Sequence, residues 1–195
     1  PETNPRLRVA MQNAKGANMP KDRVEAAIKR ATNKDEKDYE EVVYEGYGPH
    51  GVAIVVETAT DNPTRTVANV RHLFNKYGGS LGTSGSLSFM FERKGIFRLQ
   101  AEGVNMEELE LELIDAGAED IQEDEGEIIV TAAFADFGSM QKALEKLGVN
   151  VISSQLQRIP ASYAEINEQQ EEEVMKLIDF LEEDEDVQNV FYNLP

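Results

Sequence analysis

Apolar residues recur at helical spacing in residues 4–33. Asn4 followed by Pro5 is typical of a helix N-cap with proline at the first helical position. A second helix is predicted from Pro20, because its apolar residues follow the i, i+3, i+4, i+7 spacing of one helix face. These residues are Val24, Ala27, Ile28 and Ala31. We expect a helical domain over residues 1–38, truncated at its N-terminus because the chain opens on Pro1, with a core too thin to fold alone.

After residue 38 the helical spacing gives way to strand patterns. The predicted elements are strands at 41–47 and 52–58, a helix at 63–77, a glycine-rich turn at 78–86 and a strand at 87–92. The unbroken apolar run from Val52 to Val56 is typical of a central strand that is buried on both faces. Gly78 is placed to adopt the left-handed conformation that often ends a helix.

A second alternation of strands and helices begins near residue 96. The predicted order is a strand at 96–100, a helix capped by Asn105, a hairpin through Gly126, a helix capped by Asp136 and a strand at 149–156. This β-α-β-β-α-β order is that of ferredoxin-like domains. We therefore predict an acidic ferredoxin-like domain over residues 98–159.

The C-terminal residues supply one more strand-helix-strand unit. Its predicted elements are a strand at 162–166, a helix at 168–183 and a strand at 187–191. A segment of about 35 residues cannot bury a core of its own, so we expect it to share a sheet with residues 51–93. The expected fold class is α+β, with an N-terminal helical hairpin plus two ferredoxin-like βαββαβ domains, one inserted in the other. The middle domain is then discontinuous, over residues 39–97 and 160–195.

Charge differs between the two halves of the chain. Residues 1–97 carry 14 Lys and Arg against 12 Asp and Glu, whereas residues 98–195 carry 5 against 25. The formal net charge of −18 therefore comes from the second half. We expect a polyanion to meet the first half, and the acidic domain to face water or a protein partner.

Patterns for catalysis and metal binding are sparse. The chain has no cysteine, which excludes disulfides, thiolate zinc sites and cysteine nucleophiles. Its two histidines are His50 and His72. No G-x-S-x-G motif occurs, and the acidic run before Gly126 lacks the alternating ligands of an EF-hand. We expect a protein that is not an enzyme and needs no metal or cofactor. Because no apolar run approaches the roughly 20 residues of a membrane span, we expect a cytoplasmic location and no membrane contact.

The glycine-rich turn invites a phosphate-loop interpretation, because successive backbone N–H groups can cradle an anion. A P-loop runs from strand to helix and needs Lys before Ser or Thr, whereas this turn follows a helix and contains no Lys. Two alternatives stay open. The turn is either a flexible connection or a backbone contact loop for RNA or protein, with Gly79, Gly82 and Gly85 as its contact residues.

Phe89 and Phe91 alternate on the strand predicted after this turn. Alternating aromatic residues stack on bases in some RNA-binding sheets. Leu87 shares their face, however. The other face carries Ser88, Met90 and Glu92. The pattern therefore favours a core position for both phenylalanines.

Two helices carry basic residues in rows at i, i+7, i+11. One row is Arg23, Arg30 and Lys34, and the other is Arg65, His72 and Lys76. Each row lies within one sector of its helix and is about 16 Å long, enough to follow a phosphate backbone. Ordinary solvated side chains are the alternative. The candidate nucleic-acid-binding residues are Lys21, Arg23, Arg30, Lys34, Arg65, Arg71, His72 and Lys76.

Five motifs in order resemble the YebC/PmpR family, and together they span essentially the whole chain. They are NPRLR at 4–8, ANMPKD at 17–22, YEGYGP at 44–49, TDN with RT within 60–66, and GGSLG with GS within 78–86. The family also has a Lys/Arg-rich segment before the first motif. Pro63 and Thr64 depart from the polar or basic pair that the resemblance leads us to expect between Asn62 and Arg65.

The resemblance implies a three-domain protein, described as a transcriptional regulator, whose mitochondrial relative activates translation. Bacterial members are linked to ribosomes that stall on proline-rich sequences. We therefore expect a ribosome-associated translation factor that binds RNA and relieves stalling at proline-rich stretches. The alternative is a DNA-binding transcriptional regulator that uses the same basic rows. Composition alone also allows an acidic scaffold that binds only proteins.

Overall fold

A computed structural model describes residues 2–33 and 37–195. Its helices are α1 (Pro5–Gly16), α2 (Lys21–Ala31), α3 (Pro63–Lys76), α4 (Met106–Asp115), α5 (Phe137–Leu147) and α6 (Glu168–Glu182). Its strands are β1 (Glu40–Tyr47), β2 (Ala53–Thr60), β3 (Ser80–Leu81), β4 (Phe91–Gln100), β5 (Ala118–Asp124), β6 (Glu127–Ala133), β7 (Val151–Pro160) and β8 (Val187–Tyr192). None of the described helices is long and apolar enough to cross a membrane.

The strands form two four-stranded sheets, which confirms the α+β class. One sheet has the strand order β3-β1-β2-β8 and the other has the order β5-β6-β4-β7. The chain divides into two compact units. The first combines the N-terminal helices with Arg93–Gln157, and the second combines Lys37–Glu92 with Arg158–Pro195. The three domain boundaries that composition and pattern indicate stay predictions.

The first unit has a ferredoxin-like module, as the pattern of residues 98–159 predicts. Its buried side chains come from one face of the sheet and from α4 and α5, and include Phe97, Leu99, Leu109, Leu113, Ile128, Val130, Met140 and Leu144. Strand β6 runs antiparallel to β4 and β5. Because these buried side chains pack together, α4 and α5 cover one face of the sheet.

The helical hairpin has no core of its own and is attached to β7. Neither α1 nor α2 contains a buried residue. The Asn13 side chain donates to the carbonyl oxygen of Ser154 at 2.9 Å and accepts from the Ser154 N–H at 2.8 Å. At Gly16 a Cβ would lie 2.0 Å from the carbonyl oxygen of Ile152. This close approach requires glycine.

The second unit is built around β2, the central strand predicted from the apolar run. Residues Val52 to Val56 are all buried. Ile54 and Val56 face α3 and α6, whereas Ala53 and Val55 face Leu87 on the opposite side of the sheet. Both faces of β2 are therefore covered, which accounts for the absence of alternation in its sequence.

Two predicted strands are wrong in this unit. Residues 85–90 form consecutive turns, and β4, which begins at Phe91, belongs to the other sheet. Residues 162–166 form no strand either. The sheet is completed by β1, which matches the strand predicted at 41–47 and pairs antiparallel with β2, and by the two-residue strand β3. The order of elements is thus β-β-α-β followed by α-β, in place of the predicted β-α-β-β-α-β.

Candidate nucleic-acid interface

Helix α2 presents an exposed basic face. Arg23 and Arg30 are exposed, and neither forms an ion pair within the part of the chain that the structure describes. The Nζ atom of Lys21 lies 3.6 Å from Oε1 of Glu25, one turn along the helix. Such exposed pairs contribute little to stability. Lys34 lies outside the described residues.

The whole N-terminal segment shares this basic character. Residues 2–33 contain seven Lys and Arg against three Asp and Glu. In a chain with a net charge of −18, this segment is the region where a phosphate backbone meets the least repulsion.

Arg65, at the start of the predicted row on α3, is held in a carboxylate network. Its Nη2 donates to Oδ1 of Asp186 at 2.8 Å and its Nε donates to Oδ2 at 3.2 Å. Nη2 also donates to Oδ1 of Asp61 at 2.9 Å. The hydroxyl of Thr66 adds a hydrogen bond to Oδ2 of Asp186 at 2.8 Å. These bonds attach α3 to the turn before β8 and balance the charge of Arg65.

The network shifts the ionisation of both main partners. Burial opposes ionisation of Asp186, but hydrogen bonds from Arg65 and Thr66 outweigh it and hold the pKa of Asp186 below its usual value. Hydrogen bonds to Asp186 and Asp61 in turn raise the pKa of the Arg65 guanidinium. Asp186 is therefore ionised and paired at neutral pH.

We expect Asp186→Asn to lower the free energy of unfolding by about 1.5–3 kcal/mol at neutral pH, the range for hydrogen bonds to charged groups. The pKa of Asp186 is lower in the folded state than its unfolded value of about 3.9. Its stabilisation is therefore complete above about pH 4 and is lost as pH falls through the folded-state pKa. Urea unfolding of both proteins as a function of pH measures this. The exposed Asp38→Asn serves as control, and a deficit for Asp186→Asn that does not shrink in acid would contradict the assignment.

The other candidate nucleic-acid-binding residues of α3 face solvent. Arg71, His72 and Lys76 are exposed. The Nζ atom of Lys76 lies 5.3 Å from the ring centroid of Tyr77 and 5.7 Å from that of Phe180. The aromatic faces and the C-terminal end of the helix dipole both favour the ammonium group at this position.

The glycine-rich segment leads from the end of α3 across the edge of the sheet. Gly78 has φ +79°, the left-handed conformation predicted for it. At Gly79 a Cβ would lie 2.4 Å from the carbonyl oxygen of Tyr47. The structure therefore gives Gly79 a packing role, which differs from the contact role that the sequence suggests.

Beyond β3 the segment is exposed. Gly82 and Gly85 face solvent, and Gly85 has φ +82° with no atom within 4 Å of the position that a Cβ would take. The N–H of Gly82 donates to the carbonyl oxygen of Glu45 at 2.8 Å. Within the described chain, the N–H groups of Thr83, Ser84 and Gly85 donate to no backbone acceptor.

Phe89 is 76% exposed, whereas Leu87 is fully buried. The prediction that Phe89 lies in the core is wrong, because turns replace the strand. The N–H of Ser88 donates to the carbonyl oxygen of Gly85 at 3.3 Å, and that of Met90 donates to Leu87 at 2.9 Å. Phe91 is half-buried beside Leu87, as expected. The Gly and Ser residues that precede Leu87 are the sequence signal for a turn rather than a strand.

The predicted residues fall into separate groups. Arg23 and Arg30 belong to the first compact unit, and the α3 cations belong to the second. In the second unit, α3 packs on one face of the sheet and Leu87 covers the other. The candidate residues of α3 and Phe89 therefore belong to opposite faces of the sheet, and the glycine-rich segment connects them along the chain. Among the described residues, no group of His, Asp and Glu is arranged to hold a metal ion.

Comparison with known proteins finds matches over essentially the whole chain. A family model described as the TACO1/YebC second and third domain matches residues 39–194, and one described as the TACO1/YebC protein N-terminal domain matches residues 1–34. A "Probable transcriptional regulatory protein" of Parabacteroides distasonis is 58% identical over 195 residues, which cover 100% of this chain and 80% of the relative. One of Myxococcus xanthus with the same name is 53% identical over 199 residues, covering 100% and 83%. The crystal structure of the conserved hypothetical protein Aq1575 from Aquifex aeolicus is 44% identical with a TM-score of 0.80, covering 100% of this chain and 81% of that one.

Proposed function

Because this chain belongs to the TACO1/YebC family, we propose that it is a non-enzymatic regulator that acts by binding RNA. In its specific form, the proposal is a ribosome-associated translation factor that relieves stalling at proline-rich stretches. Transcriptional regulation, the role in the names of its relatives, is the second candidate.

The exposed phenyl ring of Phe89 is the observation that favours RNA over duplex DNA. Unpaired bases in RNA loops stack on aromatic side chains, whereas the bases of a duplex are already stacked on one another. Phe89 stands at the end of an exposed glycine-rich segment, and Leu87 beside it is anchored in the core. The ring is therefore presented to solvent by a fixed backbone.

Exposed basic side chains supply the contacts to phosphate in this proposal. Arg71, His72 and Lys76 lie on α3, which leads directly into the glycine-rich segment, and Arg23 and Arg30 lie on α2. Binding through such contacts releases counterions and weakens as salt rises.

The link to proline-rich stretches rests on the family resemblance and on one feature of the loop. Proline has a carbonyl acceptor but no backbone N–H, so a proline-rich chain offers acceptors without donors. The N–H groups of Thr83, Ser84 and Gly85 are donors without a backbone partner among the described residues. A loop of this kind is complementary to such a chain.

We expect Arg71→Gln combined with Lys76→Gln to reduce the slope of log K against log salt for a single-stranded RNA by about 1 to 2, at roughly 0.7–0.9 per phosphate contacted. Fluorescence anisotropy at several salt concentrations measures the slope. The control is Lys142→Gln combined with Lys146→Gln, which removes two exposed cations from α5. An unchanged slope for the first pair, or equal changes for both, would place the contacts elsewhere.

Co-sedimentation with ribosomes at moderate salt, compared with retention on duplex DNA, separates the two candidate functions. We expect the chain to sediment with ribosomes under conditions in which it elutes from DNA, and Phe89→Ala to weaken only the ribosome association. Retention on duplex DNA that is insensitive to Phe89→Ala would favour the transcriptional role.

A further inference from the structure

Helix α4 exposes two large apolar side chains on its outer face. Leu111 is 71% exposed and Ile114 is 60% exposed, while Leu109 and Leu113 on the inner face are buried in the core. Residues three apart in a helix are neighbours on its surface. Leu111 and Ile114 therefore form one apolar strip, which we call the α4 strip.

Carboxylates of the same helix flank the α4 strip. The helix contains Glu107, Glu108, Glu110, Glu112 and Asp115 and no Lys or Arg. At about 100° per residue, Glu107 projects between Ile114 and Leu111, Glu110 flanks Ile114, and Asp115 flanks Leu111.

The position of these carboxylates is unfavourable for the isolated helix. Glu108 and Glu112 are four residues apart, and like charges at this spacing repel. Glu112 and Asp115 lie in the last turn, where the helix dipole disfavours anions, and no basic residue is present there to compensate. A cationic partner would relieve both effects while covering the apolar strip.

We propose that the outer face of α4 docks a basic amphipathic helix of a partner protein. Apolar side chains of the partner cover Leu111 and Ile114, and its Lys and Arg pair with the flanking carboxylates. Charge complementarity determines this chemistry, because Glu107, Glu110 and Asp115 flank the strip and α4 carries no Lys or Arg. Helix α4 is about 15 Å long, which suits a partner helix packed along it in ridges-into-grooves contact. The site shares no residue with the RNA-binding groups proposed above.

A labelled 18-residue peptide of leucine and lysine at helical spacing is a suitable probe, with a glutamate-for-lysine version as its negative control. We expect the full chain to bind the basic peptide, and Leu111→Ser combined with Ile114→Ser to weaken binding at least tenfold. The matched control is Tyr39→Ser combined with Tyr163→Ser, since these side chains are 62% and 55% exposed. Thermal unfolding of both double variants should remain close to that of the unmodified chain, because the four side chains lie outside the core.

Charge is tested by Glu107→Gln combined with Glu110→Gln, against Glu171→Gln combined with Glu172→Gln on α6. We expect only the first pair to weaken peptide binding, about fivefold or more. Equal losses for the two pairs, or no loss for the Leu111 and Ile114 variant, would reduce the interaction to general charge attraction and overturn the proposal. Concentration-dependent self-association that the α4 variant abolishes would overturn it as well, in favour of a second copy of this chain.

Discussion

Replacement of Leu87 by alanine is expected to lower the free energy of unfolding by about 2–5 kcal/mol, the cost of removing a fully buried leucine side chain. Leu87 is completely buried against Ala53 and Val55, and it holds the 85–90 turns on the sheet. Phe89→Ala, two residues away, should change the free energy of unfolding by no more than about 0.5 kcal/mol, because its ring faces solvent. Urea unfolding of the two variants measures the difference.

The same pair separates folding from RNA binding. Phe89→Ala should weaken binding of a single-stranded RNA by about 1–3 kcal/mol, the range for loss of one base-stacking aromatic, which is roughly a 5- to 150-fold rise in Kd. Phe89→Tyr keeps an aromatic face and should restore most of the affinity. A Phe89→Ala variant that binds RNA as tightly as the unmodified chain would exclude Phe89 from the interface. A large decrease in the free energy of unfolding would show that the ring packs against the rest of the protein.

Local signals in the sequence predict most helix ends correctly, because the atoms involved are close in the chain. The side chain of Asn4 accepts from the N–H of Leu7 at 3.1 Å, and that of Asn62 accepts from the N–H of Arg65 at 3.1 Å. Gly78 and Gly148 both adopt the left-handed conformation after a helix. Each of these depends on a hydrogen bond or dihedral angle within a few residues.

The wrong strand predictions occur where contacts with residues far away in the sequence determine the structure. Residues Leu87 to Phe91 alternate as a strand would. In the structure, however, the N–H of Leu87 donates to Oε2 of the buried Glu45 at 3.5 Å, and the segment forms turns. Strand β1 pairs with β2 in the sheet, to which the pattern predicts that residues 87–92 contribute a strand. A two-residue strand such as β3 has no periodicity for a sequence pattern to detect.

The candidate site residues also divide into those predicted from local spacing and those whose environment depends on residues far away in the sequence. The helical spacing of Arg65, His72 and Lys76 predicts a common face, and His72 and Lys76 are indeed exposed. Spacing could not reveal that Arg65 is held by Asp186, 121 residues further along the chain. The exposure of Phe89 likewise follows from the tertiary position of Leu87 rather than from its own neighbours.

The glycines of the 78–86 segment are expected to divide into structural and functional positions. Gly79→Val should destabilise the chain by about 3–5 kcal/mol, because its Cβ would lie 2.4 Å from a backbone oxygen of Tyr47. At Gly82 a Cβ would lie 3.1 Å from the Ser86 hydroxyl and 3.3 Å from the carbonyl oxygen of Glu45. A small shift accommodates these contacts, so Gly82→Val should remain folded.

If this segment contacts RNA or a nascent chain, Gly82→Val should impair translation through a proline-rich stretch while its thermal unfolding changes little. A reconstituted translation reaction with a proline-rich reporter, compared with a proline-free reporter, measures this. Gly138→Val is the matched control, since that glycine has nothing within 4 Å of its Cβ position. Because Gly82 lies outside both cores, a folded variant with full activity on the proline-rich reporter would exclude this segment from the functional site. Selective loss on that reporter would place the backbone of residues 82–85 against the stalled complex.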